Sequence, residues 1–154
     1  MAAKLQDLIK QKRPFGSLEQ EASLAISRLA SHLNAEQADL LRASGITWTQ
    51  YNALRILRGS EGEPLSCGEI GERMITRESD VTRLLDRLEK QELVQRARDE
   101  RDRRVVKTWI TPQGRELLAS LDEPVAAMHH RQLGHLGTAK LEQLLSLLED
   151  AATG

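Results

Sequence analysis

Signals for the start of a helix recur along this chain and restrict its fold more than any other feature. A Ser or Thr is followed three positions later by Gln or Glu in Ser17-Leu-Glu-Gln20, Thr47-Trp-Thr-Gln50 and Ser66-Cys-Gly-Glu69. In such a capping box the hydroxyl accepts the amide of the third helical residue, and the Gln or Glu reaches back. Apolar residues at helical spacing follow the first box, at Leu18, Ala22, Ile26, Leu29 and Leu33. The chain is therefore expected to be mainly helical.

Composition agrees with a folded helical protein. The 154 residues are 40% hydrophobic and 29% charged, enough for one compact domain with a real core. Phe15, Trp48, Tyr51 and Trp109 are the only aromatic residues, whereas Leu and Ala dominate. A single cysteine excludes an internal disulfide, and no apolar run approaches the roughly 20 residues that cross a bilayer. A cytoplasmic protein with no membrane partner is expected.

The remaining boundaries follow from caps and stops. The first long helix is expected to end near Gly45, and Ile46 and Tyr51 form a hydrophobic staple on the second. Thr76 is expected to cap a helix that runs to about Gln91. Thr111-Pro112 starts another helix, and Thr138 is expected to cap the last one.

Between the helix that ends near Gln91 and the helix that starts at Thr111-Pro112, the spacing of apolar residues becomes typical of β-strands. Residues 93–97 and 105–110 are rich in Val, Ile and Trp, and they flank a charged stretch over 98–104. Residues 95–107 hold six basic and three acidic side chains, a local net charge of +3 in a chain whose total is −1. Two closely spaced helices followed by a hairpin with a long Arg-rich loop predict a winged helix-turn-helix, mainly α with a small β-hairpin wing.

The helix after the tight turn has a polar side that is suited to DNA. With Val81, Leu84, Leu85 and Leu88 turned inward, the N-terminal half presents Arg77, Ser79, Asp80, Thr82 and Arg83. Such residues enter the major groove in a helix-turn-helix, where Arg83 can reach guanine, Asp80 can accept from cytosine, and Ser79 and Thr82 can contact bases or phosphates. A solvated face with Asp–Arg pairs is the alternative.

The loop of the hairpin carries arginines suited to a narrow minor groove, whose negative potential attracts guanidinium groups. Arg98, Arg101 and Arg103 are the candidate DNA contacts. Asp99 and Asp102 are expected to pair with arginines of the loop and to hold its shape.

Together these motifs resemble the MarR family of bacterial transcription regulators. The resemblance rests on residues 81–88, on Leu93-Val94, on Asp99-Glu-Arg-Asp-Arg-Arg104 and on Ile110-Thr-Pro-Gln-Gly114. It implies an obligate homodimer that binds pseudo-palindromic double-stranded DNA and represses transcription until a small ligand or oxidation releases it. It also implies dimerisation helices over 1–46 and 111–154 around a DNA-binding region over 47–110, in one compact domain. Activation instead of repression fits the sequence equally well.

The resemblance also assigns residues. It implies that Arg101 enters the minor groove, that Asp99 and Arg104 brace the wing, and that Ser79, Thr82 and Arg83 meet DNA. Gln91-Glu92 stands where many members have a Gly, a departure at the helix stop.

The resemblance further implies a small-molecule pocket between the dimerisation helices and the winged helix. His32, Trp48 and Tyr51 are the candidate contacts for a phenolic effector, with plain core packing as the alternative for each.

Other chemistry is expected to be absent. His129, His130 and His135 lack the spacing of a metal site, since adjacent helical residues point about 100° apart. Cys67 at a helix start is expected to be a packed small residue, with redox sensing as the alternative. No catalytic or phosphate-binding motif occurs, so neither an enzyme nor a cofactor is expected. The competing function is a helical protein-binding adaptor, because Glu78, Asp80 and Asp86 oppose the approach of phosphates.

Overall fold

The computed structural model describes residues 4–153 and is predominantly helical, with one small antiparallel sheet, as the sequence predicts. The helices are α1 (Leu5–Leu8), α2 (Leu18–Leu41), α3 (Trp48–Gly59), α4 (Cys67–Arg73), α5 (Val81–Lys90), α6 (Pro112–Leu133) and α7 (Gly137–Thr153). The strands are β1 (Leu65–Ser66), β2 (Val94–Arg98) and β3 (Val106–Ile110), and short 3-10 turns span Arg42–Ser44 and Gly134–Leu136. No described helix is both long and apolar enough to cross a membrane.

The chain divides into two compact units, the first ending at Glu36 and the second beginning at Gln37. This division falls inside α2. The expected dimerisation helices over 1–46 and 111–154, around a DNA-binding region over 47–110 in one compact domain, stay a prediction. In the first unit, Ser17 Oγ accepts the amide of Gln20 at 3.2 Å, as in the expected capping box. The Gln20 side chain reaches back one residue further than expected and accepts the amide of Gly16 at 2.7 Å.

Three predicted caps of the second unit are confirmed. Thr47 and Ser66 each form a complete capping box, with Gln50 and Glu69 as their partners. Thr111 Oγ1 accepts the amide of Gly114 at 3.0 Å at the start of α6, with Pro112 in the first helical position. These helix starts depend on a few neighbouring residues, which explains why the sequence predicts them.

Two predicted caps are wrong. Thr76 does not start α5, because residues 74–80 form a non-helical connector and Asp80 caps the helix by accepting the amide of Arg83 at 2.9 Å. The amide of Ile75 donates to the side chain of Asn52 on α3, and this tertiary bond takes up a connector amide. Thr138 does not cap α7 either, because it is the second residue of the helix, which begins at Gly137 with a φ of 73°.

The sheet has the strand order β1-β3-β2, with both pairings antiparallel. The hairpin β2–β3 was predicted, and its register pairs Val94 with Ile110 and Arg98 with Val106. The two-residue strand β1 was not predicted. It pairs Leu65 with Thr108, which fastens the start of α4 to the hairpin.

The core of the second unit joins α3, α4, α5 and α6 to the inner face of the sheet. Predicted inward residues Leu84, Leu85 and Leu88 of α5 are buried, and Val81 is half-buried. Leu54 and Leu57 of α3 and Leu118, Leu121, Val125 and Met128 of α6 are buried with them.

Gly114 brings the start of α6 against the base of the hairpin, at Leu93 and Ile110. A Cβ at this glycine would lie 2.3 Å from the carbonyl oxygen of Leu93 and 2.7 Å from Cγ1 of Ile110. The hairpin and α6 are therefore packed through a position that only glycine fits.

Candidate nucleic-acid interface

The polar residues selected on the sequence surround the start of α5. Arg77 and Ser79 are exposed in the connector, and Thr82 and Arg83 are exposed in the first turn of the helix. Asp80 is the N-cap, and its carboxylate also pairs with Arg83 Nε at 3.1 Å. The structure thus brings the five selected residues to one end of one helix, but three of them precede it.

The hairpin is attached to α5 by Arg96 of β2. Its guanidinium donates to Asp86 and, at 3.0 Å, to Glu89, and the Arg96 side chain is only 18% exposed. These carboxylates raise the pKa of Arg96, and the main cause is the hydrogen bond that Arg96 donates to Glu89. The half-buried contact fixes the outer side of α5 to the strand that leads into the charged loop.

Asp99 and Asp102 shape the loop between the strands by binding its backbone. Asp99 Oδ1 accepts the amides of Arg101 at 2.7 Å and of Asp102 at 3.3 Å. Asp102 Oδ1 accepts both the amide and Nε of Arg104, at 3.0 and 3.2 Å. The amide of Arg101, and secondarily that of Asp102, lowers the pKa of Asp99. The contacts of Asp99 are therefore with backbone groups, whereas pairing with arginine side chains was expected.

The arginines of the loop differ in their surroundings. Arg98 donates to the carbonyl oxygen of Arg103 at 2.7 Å, which closes the loop at its base. The side chains of Arg101 and Arg103 are exposed. A loop whose backbone is held by two carboxylates thus presents guanidinium groups to solvent in a restricted geometry.

Lys107 of the basic segment turns away from the loop and binds Glu69 on α4 at 3.1 Å. The amide of Ser66, and secondarily Lys107, lowers the pKa of Glu69 to about 2. The Glu69 carboxylate therefore caps α4 and also binds Lys107 of β3.

A cavity of about 370 Å³ lies between α3 and α6. Trp48 and Tyr51 stack in it with ring centroids 5.0 Å apart, and His129 meets Trp48 edge-on at 6.0 Å. Arg55 donates to the Tyr51 hydroxyl at 3.1 Å and also lines the cavity. The lining combines aromatic faces, a guanidinium and polar groups, which suits a small aromatic ligand.

One acidic group of this lining is already neutralised. Asp122 receives two hydrogen bonds from Arg58, at 2.8 and 2.9 Å, in a bidentate ion pair between α6 and α3. This contact lowers the pKa of Asp122 and raises that of Arg58. Arg55 therefore lies in the lining beside a carboxylate that has its own partner.

The third ligand candidate from the sequence lies elsewhere. His32 lines a separate cavity of about 610 Å³ within the first unit, together with Leu5, Ile9 and Arg28. Trp48 and Tyr51 are brought together as selected, although Tyr51 is also 3% exposed core, as its role in the staple predicts.

Comparison with known proteins identifies the family. The MarR family model matches residues 46–106, from just before α3 to the first residue of β3. The HTH-type transcriptional regulator TtmR of Methylorubrum extorquens is 33% identical over 137 residues, which span 89% of this chain and 67% of that relative. A crystal structure of a MarR transcription factor from Planctomyces limnophilus is 39% identical, with a TM-score of 0.69 over 88% of this chain and 98% of that one. The chain belongs to the MarR family.

A more distant relative is also a regulator. The transcriptional repressor MprA of Escherichia coli is 26% identical to this MarR-family chain over 125 residues. The match covers 79% of this chain and 71% of MprA. Membership makes this protein a transcriptional regulator by family, with the winged-helix fold described above.

The MarR-family chain departs from the expected pattern at its helix stop. Glu92 belongs to the Gln91-Glu92 pair that stands where many members have a glycine, and it has a φ of 61°. The amides of Leu93 and Glu92 donate to the carbonyls of Leu88 and Glu89, at 3.0 and 2.9 Å, which is the Schellman arrangement. Glu92 therefore holds a left-handed conformation that usually belongs to glycine.

Among residues 4–153 of this MarR-family protein, no group of three or more His, Cys, Asp or Glu side chains is placed to hold a metal ion. His129 packs against Trp48. Cys67 is a free, half-buried thiol at the first position of α4.

Sequence reasoning missed three residues that organise the site. Arg96 was counted only as part of a basic segment, Arg55 was not singled out, and Asn52 was not considered. A helical wheel of α3 places Asn52 and Arg55 near Trp48 on one face, which is the signal that identifies them.

Proposed function

We propose that this MarR-family protein is a homodimeric repressor that binds pseudo-palindromic duplex DNA and is released by a small phenolic effector. The observation that carries the proposal is the braced arginine loop fixed to α5 through Arg96. In each protomer α5 enters the major groove and the loop enters the adjacent minor groove.

The start of α5 supplies the base contacts. Arg83 is exposed, and its exposed pair with Asp80 costs little to exchange for a guanine edge, because surface ion pairs contribute little. Arg77, Ser79 and Thr82 are exposed beside it and reach bases or phosphates.

The wing supplies electrostatic attraction with little ordering cost. Arg101 and Arg103 enter the minor groove from a loop whose backbone Asp99 and Asp102 already hold. Preorganisation of this kind raises affinity because less conformational entropy is lost on binding. Arg98 acts by closing the loop as well as by adding positive charge.

The acidic residues that favour the adaptor alternative have intramolecular partners. Asp80 caps α5, Glu78 accepts the amide of Asp80 at 3.2 Å, and Asp86 binds Arg96. These contacts weaken the case for an acidic protein-binding face.

A second copy of the chain accounts for apolar side chains that each unit leaves exposed. In the first unit Leu18 is 81% exposed and Ile26 is 50% exposed. In the second unit α7 has no buried residue, and Leu145 and Leu147 are 58% and 67% exposed. Homodimerisation through the terminal helices would bury this surface.

The cavity between α3 and α6 is the proposed effector site. A phenolic ring stacks on Trp48 and Tyr51, and Arg55 favours an anionic substituent. His32 is not part of this proposal, since it lines the cavity of the first unit.

The test is fluorescence anisotropy with the DNA upstream of the protein's own gene and with a scrambled duplex, at about 50 and 200 mM salt. Arg101→Ala is expected to weaken binding to both duplexes and to flatten the salt dependence. Arg83→Ala is expected to cost about 1–3 kcal/mol on the specific duplex and to relax the preference at one base pair. Arg115→Ala, which removes an exposed arginine from α6, is the matched control.

Specific binding that survives the higher salt supports the proposal, and release by 4-hydroxybenzoate supports the effector class. Equal losses from Arg83→Ala on every sequence contradict its role in base reading. If Arg101→Ala and Arg83→Ala leave the binding of a protein partner unchanged while DNA binding is absent, the adaptor function is correct.

A further inference from the structure

The cavity between α3 and α6 has a third wall that belongs to the DNA-reading region. Ile75, in the connector over residues 74–80, lines the cavity together with the aromatic residues of α3. Ile75 is 77% exposed, although its side chain is large and apolar. A molecule in the cavity would therefore contact the connector directly.

Asn52 ties this wall to the rigid part of the unit. Its Oδ1 accepts the amide of Ile75 at 2.9 Å, and the residue is 9% exposed while it also lines the cavity. One side chain thus faces the cavity and holds the backbone of the connector. Since the Oδ1 is a hydrogen-bond acceptor at the cavity wall, a phenolic hydroxyl in the cavity can donate to the same atom.

The connector leads within a few residues to the DNA-reading groups. Arg77 and Ser79 lie in it, and Asp80 at its end caps α5. A shift at Ile75 is therefore transmitted through a short length of backbone to the start of the helix.

We propose that Asn52 is a positioning residue that couples the cavity to the DNA-reading segment. With the cavity free, the Asn52–Ile75 hydrogen bond holds the connector in the conformation that binds DNA. A molecule that fills the cavity displaces the Ile75 side chain, takes the Oδ1 of Asn52 and releases the connector. The inference rests on the proposed function, and it supplies the differential contact that a ligand needs to shift a conformational equilibrium.

Two pairs of variants test the coupling without an identified effector. Asn52→Leu removes the acceptor at similar volume, and Asn52→Asp retains it. Ala126→Phe places a ring in the cavity, which Ala126 lines, whereas Ala127→Phe adds the same ring at an exposed neighbouring position outside the lining. The readouts are amide hydrogen exchange at Ile75 in the DNA-free protein and anisotropy with the operator duplex.

Wild type, Asn52→Asp and Ala127→Phe are expected to protect the Ile75 amide and to bind DNA alike. Asn52→Leu and Ala126→Phe are expected to expose that amide, and loss of one hydrogen bond should weaken DNA binding about five-fold per half-site. Unchanged exchange at Ile75 in Ala126→Phe overturns the proposal. So does unchanged DNA affinity in an Asn52→Leu protein that has lost the protection.

Failure of this proposal can be distinguished from failure of the proposed function. If the wild type binds no DNA, the proposed function is wrong, whereas exchange at Ile75 in Ala126→Phe still decides whether the cavity and the connector are coupled. If Asn52→Leu does not fold, Ala126→Phe against Ala127→Phe carries the test alone.

Discussion

Replacing Glu92 by glycine is expected to stabilise this protein. Glu92 ends α5 with a φ of 61°, in a Schellman arrangement closed by the amides of Glu92 and Leu93. Leu93 and Leu88, the two residues joined by the longer of these bonds, are both buried and keep the arrangement in place. The backbone at residue 92 therefore cannot relax out of the left-handed region without disturbing the core.

The magnitude follows from two opposing contributions. The Cβ of an L-residue makes the left-handed conformation roughly 1–2 kcal/mol less favourable, and glycine removes this cost. Glycine also gains freedom in the unfolded chain, which subtracts about 0.5–1 kcal/mol. The net effect of Glu92→Gly is a gain of about 0.5–1 kcal/mol, or roughly 1–4 °C in Tm for a chain of this size.

Thermal unfolding at a fixed protomer concentration measures the effect, because the proposed homodimer would make the stability depend on concentration. Glu92→Ala is the control, since it removes the acidic charge near the helix C-terminus but keeps a Cβ. We expect Glu92→Gly to exceed Glu92→Ala in Tm. Equal values for the two variants, or a lower Tm for Glu92→Gly, would refute the assignment of backbone strain.

Three further changes probe the contacts around the site. Gly114→Ala should lower the free energy of unfolding, measured in urea, by about 1–3 kcal/mol, because its Cβ would lie 2.3 Å from the carbonyl oxygen of Leu93. A gain in stability would mean that the backbone at Leu93 moves aside without cost. The ionised Glu69 stabilises the fold above its unfolded pKa near 4.5, and this contribution is lost as the pH falls towards its folded pKa of about 2. The free energy of unfolding of Glu69→Gln should therefore fall less steeply with decreasing pH than that of the wild type. A parallel acid profile would contradict this. Arg96→Met should lower the free energy of unfolding by about 1 kcal/mol, and it should weaken DNA binding more than Arg115→Met does. Equal DNA affinities of the two variants would show that the link from β2 to α5 does not position the wing.

Helix starts were predictable where the capping groups are close in sequence. Thr47, Ser66 and Thr111 each act within three residues, so the pattern of side chains contains the whole interaction. The predicted cap at Thr76 is wrong because the contact that decides this region is distant in sequence. The side chain of Asn52, on another helix, binds the connector at Ile75, and no local pattern contains that bond.

The site was predictable as a set of residue types and not as a set of contacts. The basic loop, its aspartates and the polar start of α5 are visible in the sequence. Arg98 and Lys107 belong to the same basic run as Arg101, yet one closes the loop and the other binds Glu69 on α4. Which basic side chains bind an intramolecular partner depends on groups that only the fold brings near.

By itself the sequence determined the helical class, the order of helices α2 to α7 and the hairpin, because hydrophobic period and capping chemistry act over a few residues. Tertiary structure alone decided the strand β1, which is two residues long and forms only against β3. It also decided where α5 begins and how Asn52 joins a cavity to the connector. These features depend on hydrogen bonds between residues distant in the chain, and such bonds form only once packing has brought their partners together.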